Sequence, residues 1–150
     1  MKKILLTGGC GYIGSHTCIS LIEKGFSLIL IDSFVNSYRI IYDQINKIIA
    51  KDPRITSQIK LFEGDVRDEK ILNEIFYRER LTGNPIYSVF HFAGLKSVSE
   101  SVSDPLEYWN NNTNGILTLL KVMEENGCSN LIFSSTASVY GSNDKELLDE

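Results

Sequence analysis

The fold is decided by the stretch ILLTGGCGYIG, residues 4–14, in which a short apolar run leads into closely spaced glycines. The pattern predicts a strand, a glycine-rich turn and then a helix. In such a turn Gly8 or Gly9 allows the tight bend, and Gly11 lets the backbone approach a ligand. Gly14 lets the helix press against the strand. Because unpaired N–H groups at a helix N-terminus bind phosphates, this stretch predicts a dinucleotide-binding turn.

A second apolar run, residues 28–31, ends at Asp32, close to the spacing from the glycines expected of the carboxylate that binds an adenosine ribose. A carboxylate accepts hydrogen bonds from both ribose hydroxyls and repels a 2′-phosphate. Ser33 and Phe34 follow it, rather than a basic residue. Arg39 is near enough to bear on this choice, although a basic residue that opens a helix is usually solvated. The sequence therefore predicts NAD rather than NADP as the ligand.

The rest of the chain alternates predicted helices and strands. Helices are predicted from Tyr12 to about Lys24, Tyr38 to about Lys51, after the capping residue Asp68 to about Arg80, and from Asp104-Pro105 to about Asn126; further strands are predicted at 59–62, 88–92 and from Asn130 to about Ser135. This order predicts an α/β fold, a doubly wound parallel sheet (Rossmann fold) with strand order 3-2-1-4-5. Ligands of such a sheet bind outside the carboxyl ends of its strands.

Composition narrows the classes of function. A net charge of -4 without a basic cluster argues against nucleic acid as a partner. No apolar run approaches the length of a membrane span, so no membrane partner is expected. Three cysteines without metal-ligand spacing predict reduced thiols in a cytoplasmic protein, with neither disulfides nor a metal site. Cys10 is either a thiol beside a cofactor or a small residue in a tight turn.

Polar residues follow several of the predicted strands, and each has two interpretations. Asp65 is placed to bind the adenine amino group or to serve as a turn acid before a helix. Lys96 could meet a phosphate or be a solvated loop lysine. The hydroxyls of Ser134 and Thr136 could face a nicotinamide and a substrate hydroxyl, or cap a turn.

Three segments carry a closer resemblance: TGGCGYIGSH (7–16), HFAGLKSVSESVSDPLEYWNNNTNG (91–115) and FSSTASVYG (133–141). Together they closely resemble the UDP-glucose 4-epimerase family, which belongs to the extended short-chain dehydrogenases/reductases. The resemblance covers essentially the whole chain. It implies NAD as cofactor, UDP-galactose and UDP-glucose as substrates, and galactose metabolism as the setting.

The same resemblance assigns residues to parts of the ligand. It places Gly8, Gly11, Tyr12, Ile13 and Gly14 at the pyrophosphate; Asp32, Asn36 and Ser37 along the adenosine ribose and phosphate; Asp65 and Val66 at adenine; Phe92, Ala93, Gly94 and Lys96 along the cofactor; and Asn111 and Ser134 as further contacts. Thr136 matches the position where the family keeps a Ser or Thr that touches the substrate sugar, which makes it the expected catalytic residue of this segment.

The mechanism that the resemblance implies is a hydride shuttle. A tyrosinate removes the proton from the hexose O4 while a hydride leaves C4 for NAD. The resulting 4-keto sugar rotates about its bond to the diphosphate and receives the same hydride on its other face. Thr136 would relay or orient the proton.

The sequence departs from the family at its end. The catalytic YxxxK motif is expected after the fifth strand and is not reached before Glu150. Tyr140 does not supply it, because Asp144 stands four positions later and Tyr140 matches the family's VYG turn. We therefore expect residues 1–150 to be an incomplete NAD-binding domain without the UDP-sugar domain, inactive alone, and expect a homodimer for the complete enzyme.

Two other interpretations stay open at this point. A sugar-nucleotide 4,6-dehydratase would share the scaffold and the first hydride step, but that family places an Asp-Glu pair where this chain has Ala137-Ser138. A non-catalytic NAD-binding module would require neither the missing motif nor a second domain.

Overall fold

The computed structural model of the chain describes residues 1–53, 55, 58–136 and 139. It contains five strands: β1 (Lys3–Thr7), β2 (Ser27–Asp32), β3 (Ile59–Glu63), β4 (Ile86–His91) and β5 (Leu131–Phe133). Its α-helices are α1 (Tyr12–Glu23), α2 (Ile40–Ile49), α3 (Glu69–Leu81), α4 (Val98–Ser103), α5 (Pro105–Trp109) and α6 (Gly115–Glu125). A π-helical turn, Asn110–Asn114, joins α5 to α6.

The strands form one parallel sheet in the order β3-β2-β1-β4-β5, which confirms the predicted Rossmann fold. Strand β1 lies at the centre, and all five of its residues are buried. Its Leu5 pairs with Ile29 of β2 on one side and with Val89 of β4 on the other. A strand that is buried on both faces reads as a continuous apolar run, which is why Ile4-Leu5-Leu6 was a clear signal.

Alternation of side chains along the strands builds a core on each face of the sheet. Ile4 and Leu6 of β1 face a cluster that includes Cys18 and Ile22 of α1. Leu5 faces the opposite cluster, with residues of α3 and α6. Helices α1 and α2 pack together on the first face, and α3 and α6 on the second. The sheet is therefore doubly wound, and its carboxyl edge is left to the loops.

The segment after β4 differs from its prediction. The single helix expected from Asp104-Pro105 to about Asn126 is interrupted by the π-helical turn at Asn110–Asn114, and the short helix α4 precedes it. Side chains of Ser97 and Asp104 cap α4 and α5. Four of the five residues in the π-helical turn are asparagines, which compete for backbone hydrogen bonds and disfavour a regular helix.

At the amino edge of the sheet, Glu79 of α3 is 1% exposed and pairs with Lys3 of β1 and Lys60 of β3. The Lys60 Nζ lies 2.8 Å from Glu79 Oε1. Burial alone would raise the pKa of Glu79, but the hydrogen bonds from the two lysines lower it overall. This charged cluster ties two strands to one helix at the end of the sheet that is remote from the glycine-rich turn.

Among the described residues, no helix is both long enough and apolar enough to cross a bilayer.

Candidate functional site

An open cleft runs along the carboxyl edge of the sheet. It is lined by the turns that follow four strands and by the π-helical turn: Thr7, Gly8, Gly11, Tyr12, Ile13 and Gly14 after or within β1; Ile31, Asp32, Ser33, Val35 and Asn36 around the end of β2; Gly64, Asp65 and Val66 after β3; Phe92, Ala93, Gly94, Leu95 and Lys96 after β4; and Asn111. The cleft therefore lies where the topology predicts the ligand.

The turn after β1 is packed too closely for side chains. Gly8 has a φ of +66°, and a Cβ on it would come within 2.8 Å of the Ala93 amide nitrogen. A Cβ on Gly14 would overlap the carbonyl oxygen of Gly8. Of the two glycines considered for the tight bend, Gly8 is thus the one in the left-handed conformation. Gly14 presses helix α1 against the turn itself rather than against the strand.

The first turn of α1 faces the cleft without a side-chain cap. Its N-cap residue is Gly11, which has no side chain to bond the free amides. By contrast, Asp68 caps α3 and accepts from the amides of Lys70 and Ile71. The free N–H groups at the start of α1, together with the positive end of the helix dipole, make this part of the cleft suited to an anion.

Asp32, at the end of β2, is 7% exposed and is held by three donors. The Cys10 amide bonds its Oδ2 at 2.8 Å, while the Phe34 amide and the Ser37 hydroxyl bond its Oδ1 at 3.0 and 2.7 Å. Phe34 has a φ of +58°, so the chain bends sharply after β2 and brings these donors around the carboxylate. The carboxylate is fixed in place and still lines the cleft, with lone pairs available for a ligand.

Ser37 lies behind Asp32 rather than in the cleft. It is buried, its hydroxyl donates to Asp32, and it lines a separate apolar groove between α1 and α2. Ser37 therefore affects a ligand in the cleft by holding Asp32 and not by direct contact. Cys10 borders the same groove, and burial together with the nearby Asp32 raises the pKa of its thiol to about 12. A thiol held in its protonated form fits the interpretation of Cys10 as a small turn residue.

Arg39 is turned to a partner outside the cleft. Its Nη1 lies 2.8 Å from Oε2 of Glu63 at the end of β3. Among the described residues that line the cleft, Lys96 is the only basic side chain. The basic residue that bore on the choice between NAD and NADP thus does not line the cleft.

Asp65 lines the cleft and is also bound to Arg67. The Arg67 amide and guanidinium donate to its carboxylate at 2.7 to 3.1 Å, and Arg67 reaches Glu107 of α5 at 3.0 Å. These hydrogen bonds lower the pKa of Asp65, so its carboxyl stays ionised and acts as an acceptor. Both interpretations of Asp65 are compatible with this geometry, since it stabilises the turn and borders the cleft.

The loop after β4 is clamped by a residue that the sequence interpretation missed. Oδ1 of Asn112 accepts from the Leu95 amide at 2.8 Å, and its Nδ2 donates to the Leu95 carbonyl at 2.9 Å. Asn111 donates to the same Oδ1 and lines the cleft itself. The run of asparagines inside a helical pattern was the available signal, because asparagine is unfavourable in a helix interior. Lys96, next to the clamped residue, is exposed at the cleft.

Besides Ser37, two more predicted residues do not line the cleft among the described residues. Ser134 follows β5 and extends its pairing, since its amide donates to the His91 carbonyl at 3.2 Å. Thr136 is exposed, and its carbonyl accepts from the Val139 amide at 3.2 Å. The residues of the dehydratase comparison, Ala137-Ser138, and the VYG-turn residue Tyr140 lie outside the described residues. Lining residues that the prediction had not assigned are Thr7, Ile31, Ser33, Val35, Gly64 and Leu95.

Comparisons with known proteins show the family of the chain. The model of the family described as GDP-mannose 4,6 dehydratase matches residues 5–150. A UDP-glucose 4-epimerase of Klebsiella pneumoniae is 43% identical over 143 residues, which cover 95% of both chains. The chain belongs to the UDP-glucose 4-epimerase family. The resemblance of its three sequence motifs is thereby confirmed.

Longer members of this family match the chain over most of its length. A UDP-glucose 4-epimerase of Yersinia pestis is 46% identical over 92% of this chain and 38% of its own length. The crystal structure of UDP-glucose 4-epimerase from Bifidobacterium longum, in complex with NAD+ and UDP, has a TM-score of 0.86 and 39% identity. It is matched over 99% of this chain and 41% of its own. The chain thus spans about two fifths of the length of these two relatives.

Proposed function

We propose that this chain binds NAD in the carboxyl-edge cleft, as the cofactor-binding part of an epimerase that interconverts UDP-galactose and UDP-glucose. The observation that carries the proposal is that the uncapped start of α1 and the carboxylate of Asp32 face one cleft. A dinucleotide presents two features that match them, a pyrophosphate and an adenosine ribose. The relatives crystallised with NAD support the same ligand.

The pyrophosphate would lie at the glycine-rich turn. Gly8, Gly11 and Gly14 leave backbone exposed where side chains would block the approach, and the amides of Tyr12 and Ile13 begin the uncapped helix. No side-chain anion competes for these amides among the described residues. The turn therefore fits a diphosphate.

The adenosine ribose would bind Asp32. The carboxylate is already oriented by three protein donors, so little freedom is lost when a ligand binds. A 2′-phosphate would place a second negative charge beside it, and Arg39, which is paired with Glu63, does not line the cleft. These features favour NAD over NADP.

The remaining predicted contacts complete the proposal. Asp65 and Val66 would hold adenine, and Asn36 would lie near the ribose and phosphate. Phe92, Ala93, Gly94 and Lys96 would line the rest of the cofactor with Asn111, which the clamped loop and the π-helical turn bring together. Ser37 would act by holding Asp32, and Ser134, which follows β5, would be a further contact of the cofactor.

When bound, NAD supplies a hydride acceptor and donor for the sugar C4. In this proposal the chain's own contribution to the chemistry is Thr136, whose hydroxyl would orient or relay the proton of a substrate hydroxyl. Thr136 follows β5 at the carboxyl edge, the same edge as the cleft. For the whole protein we also propose a UDP-sugar substrate, a homodimer, a role in galactose metabolism and a cytoplasmic location.

The test begins with the encoding nucleic acid, read past the codon for Glu150, and with the product of the full reading frame. We expect that product to convert UDP-galactose to UDP-glucose without added reductant. Thr136→Ala should lower turnover while the NAD content stays unchanged, whereas the control Thr118→Ala on α6 should leave both unchanged. Unaltered turnover in Thr136→Ala would contradict the catalytic role of Thr136.

A second candidate, a sugar-nucleotide 4,6-dehydratase, is favoured by the matched family model. Ala137-Ser138 argues against it, since this pair lacks the acid and base needed to eliminate a C6 hydroxyl. A 4-keto-6-deoxy sugar among the products would support the dehydratase and overturn the epimerase proposal.

A further inference from the structure

His91 is a buried titratable residue that does not line the cleft. It is the last residue of β4 and is 2% exposed. Its Nδ1 lies 2.6 Å from the hydroxyl oxygen of Thr7 at the end of β1, and its ring stacks on Phe133 of β5 at 5.6 Å between centroids. The imidazole thus connects the carboxyl ends of three neighbouring strands just beneath the cleft.

Thr7 connects this histidine to the cleft wall. Its hydroxyl oxygen accepts from the Ala93 amide at 3.3 Å, and its carbonyl accepts from the Phe92 amide at 3.0 Å. The Phe92–Ala93 backbone lies directly against Gly8, where a Cβ would be 2.8 Å from the Ala93 nitrogen. Thr7, Gly8, Phe92 and Ala93 all line the cleft.

The direction of these hydrogen bonds follows from the number of protons. The Thr7 oxygen accepts from the Ala93 amide and has one hydroxyl proton to give. Donation of that proton to an unprotonated His91 Nδ1 gives both the hydroxyl proton and the Nδ1 acceptor a partner. Burial lowers the pKa of His91 to about 4, which keeps the ring neutral at ordinary pH. The resulting chain runs from the Ala93 amide through the Thr7 hydroxyl to His91, and linked bonds of this kind strengthen one another.

We infer that His91 is a positioning residue for the cofactor cleft: by accepting the Thr7 hydroxyl proton at Nδ1, it fixes the Phe92–Gly94 wall against the glycine-rich turn. This inference rests on the proposed function, because the wall is where the cofactor is proposed to lie. His91 contributes to the affinity for NAD through its polar contact with Thr7 and not through its ring stacking.

Two substitutions separate these roles. His91→Phe keeps a flat ring against Phe133 and removes the acceptor. His91→Asn removes the ring and keeps an amide oxygen near the place of Nδ1. Thr7→Val and Thr7→Ser form a second pair, which removes or keeps the hydroxyl from the other side of the contact.

The experiment measures NAD affinity by calorimetric titration of the full chain and its variants, together with thermal stability. We expect His91→Phe and Thr7→Val to bind NAD about tenfold more weakly, since one buried hydrogen bond contributes up to about that factor. His91→Asn and Thr7→Ser should bind within about threefold of the wild type. The nitrogen-15 spectrum of the wild-type imidazole should show the tautomer protonated at Nε2.

Several results would overturn the inference. NAD affinity that follows the ring, retained in His91→Phe and lost in His91→Asn, would make His91 a packing residue only. If His91→Phe does not fold, equal affinity in Thr7→Val and Thr7→Ser would refute the inference, as would a ring protonated at Nδ1. A wild-type chain that does not bind NAD would instead refute the proposed function on which the inference rests.

Discussion

Replacing Asp32 by alanine should weaken NAD binding more than any other single change at the cleft. The carboxylate is 7% exposed and held by the amides of Cys10 and Phe34 and by the Ser37 hydroxyl. In the proposed complex it also accepts from the ribose hydroxyls. Asp32→Ala removes that acceptor and leaves three protein donors without their partner.

The expected loss follows from the charge of the acceptor. A single hydrogen bond to an ionised group contributes about 1.5–3 kcal/mol, so the loss of even one ribose hydrogen bond should raise the Kd for NAD about 10- to 150-fold. The chain should also unfold more easily, because each of the three donors loses its bond. Ser37→Ala removes one donor and keeps the carboxylate, and it should therefore have a clearly smaller effect on NAD affinity.

Calorimetric titration with NAD and urea unfolding measure the two effects separately. Asp43→Ala is the matched control, since Asp43 is an exposed carboxylate in the first turn of α2 and lies outside the cleft lining. It should change NAD affinity little. The reasoning would be refuted if Asp32→Ala bound NAD as tightly as the wild type while remaining folded.

Two further predictions concern the charged cluster at the amino edge and the clamp at the cleft. Glu79→Gln should cost about 3–5 kcal/mol of unfolding free energy at neutral pH, because it leaves buried Lys3 without its charge partner. Burial raises the pKa of Glu79, but Lys3 and Lys60 lower it overall, so the stabilisation by its carboxylate is present above the ordinary carboxyl pKa and is lost as pH falls through the lowered value. In urea unfolding, the stabilities of the wild type and Glu79→Gln should therefore converge in acid, whereas the exposed control Glu74→Gln should change stability little. A difference between wild type and Glu79→Gln that is the same at all pH values would contradict this prediction. Asn112→Ala should speed hydrogen exchange of the Leu95 amide and destabilise the loop by about 1–3 kcal/mol, since both hydrogen bonds between Asn112 and Leu95 are lost. The control Asn110→Ala should leave the exchange of this amide unchanged. Unchanged exchange in Asn112→Ala would show that Asn112 does not hold the loop.

The parts of the fold that were predictable are those with local causes. Strand β1 is buried on both faces, so its central residues form a continuous apolar run. Asp68 caps α3 by accepting from the amides of Lys70 and Ile71, which are close to it in sequence. The glycine-rich turn was recognisable because close backbone packing admits no side chain there. Strand order then followed from the regular alternation of strands and helices.

The parts that were not predictable depend on contacts between distant residues. Asn112 clamps Leu95, which lies seventeen positions earlier, and nothing near either residue in sequence specifies that pairing. Ser37 was assigned to the ligand but is turned to Asp32 by the left-handed bend at Phe34. Arg39 was ambiguous until its pairing with Glu63 of a neighbouring strand was visible.

The most direct test of the central claim is a titration of the nitrogen-15-labelled chain with NAD, followed residue by residue in the amide spectrum. We expect saturable shifts at the amides of Tyr12, Ile13 and Gly14 and around Asp32, with little change at Gly25, which precedes β2 at the amino edge of the sheet. The absence of shifts, or shifts confined to the groove between α1 and α2, would contradict the assignment of the carboxyl-edge cleft as the NAD site.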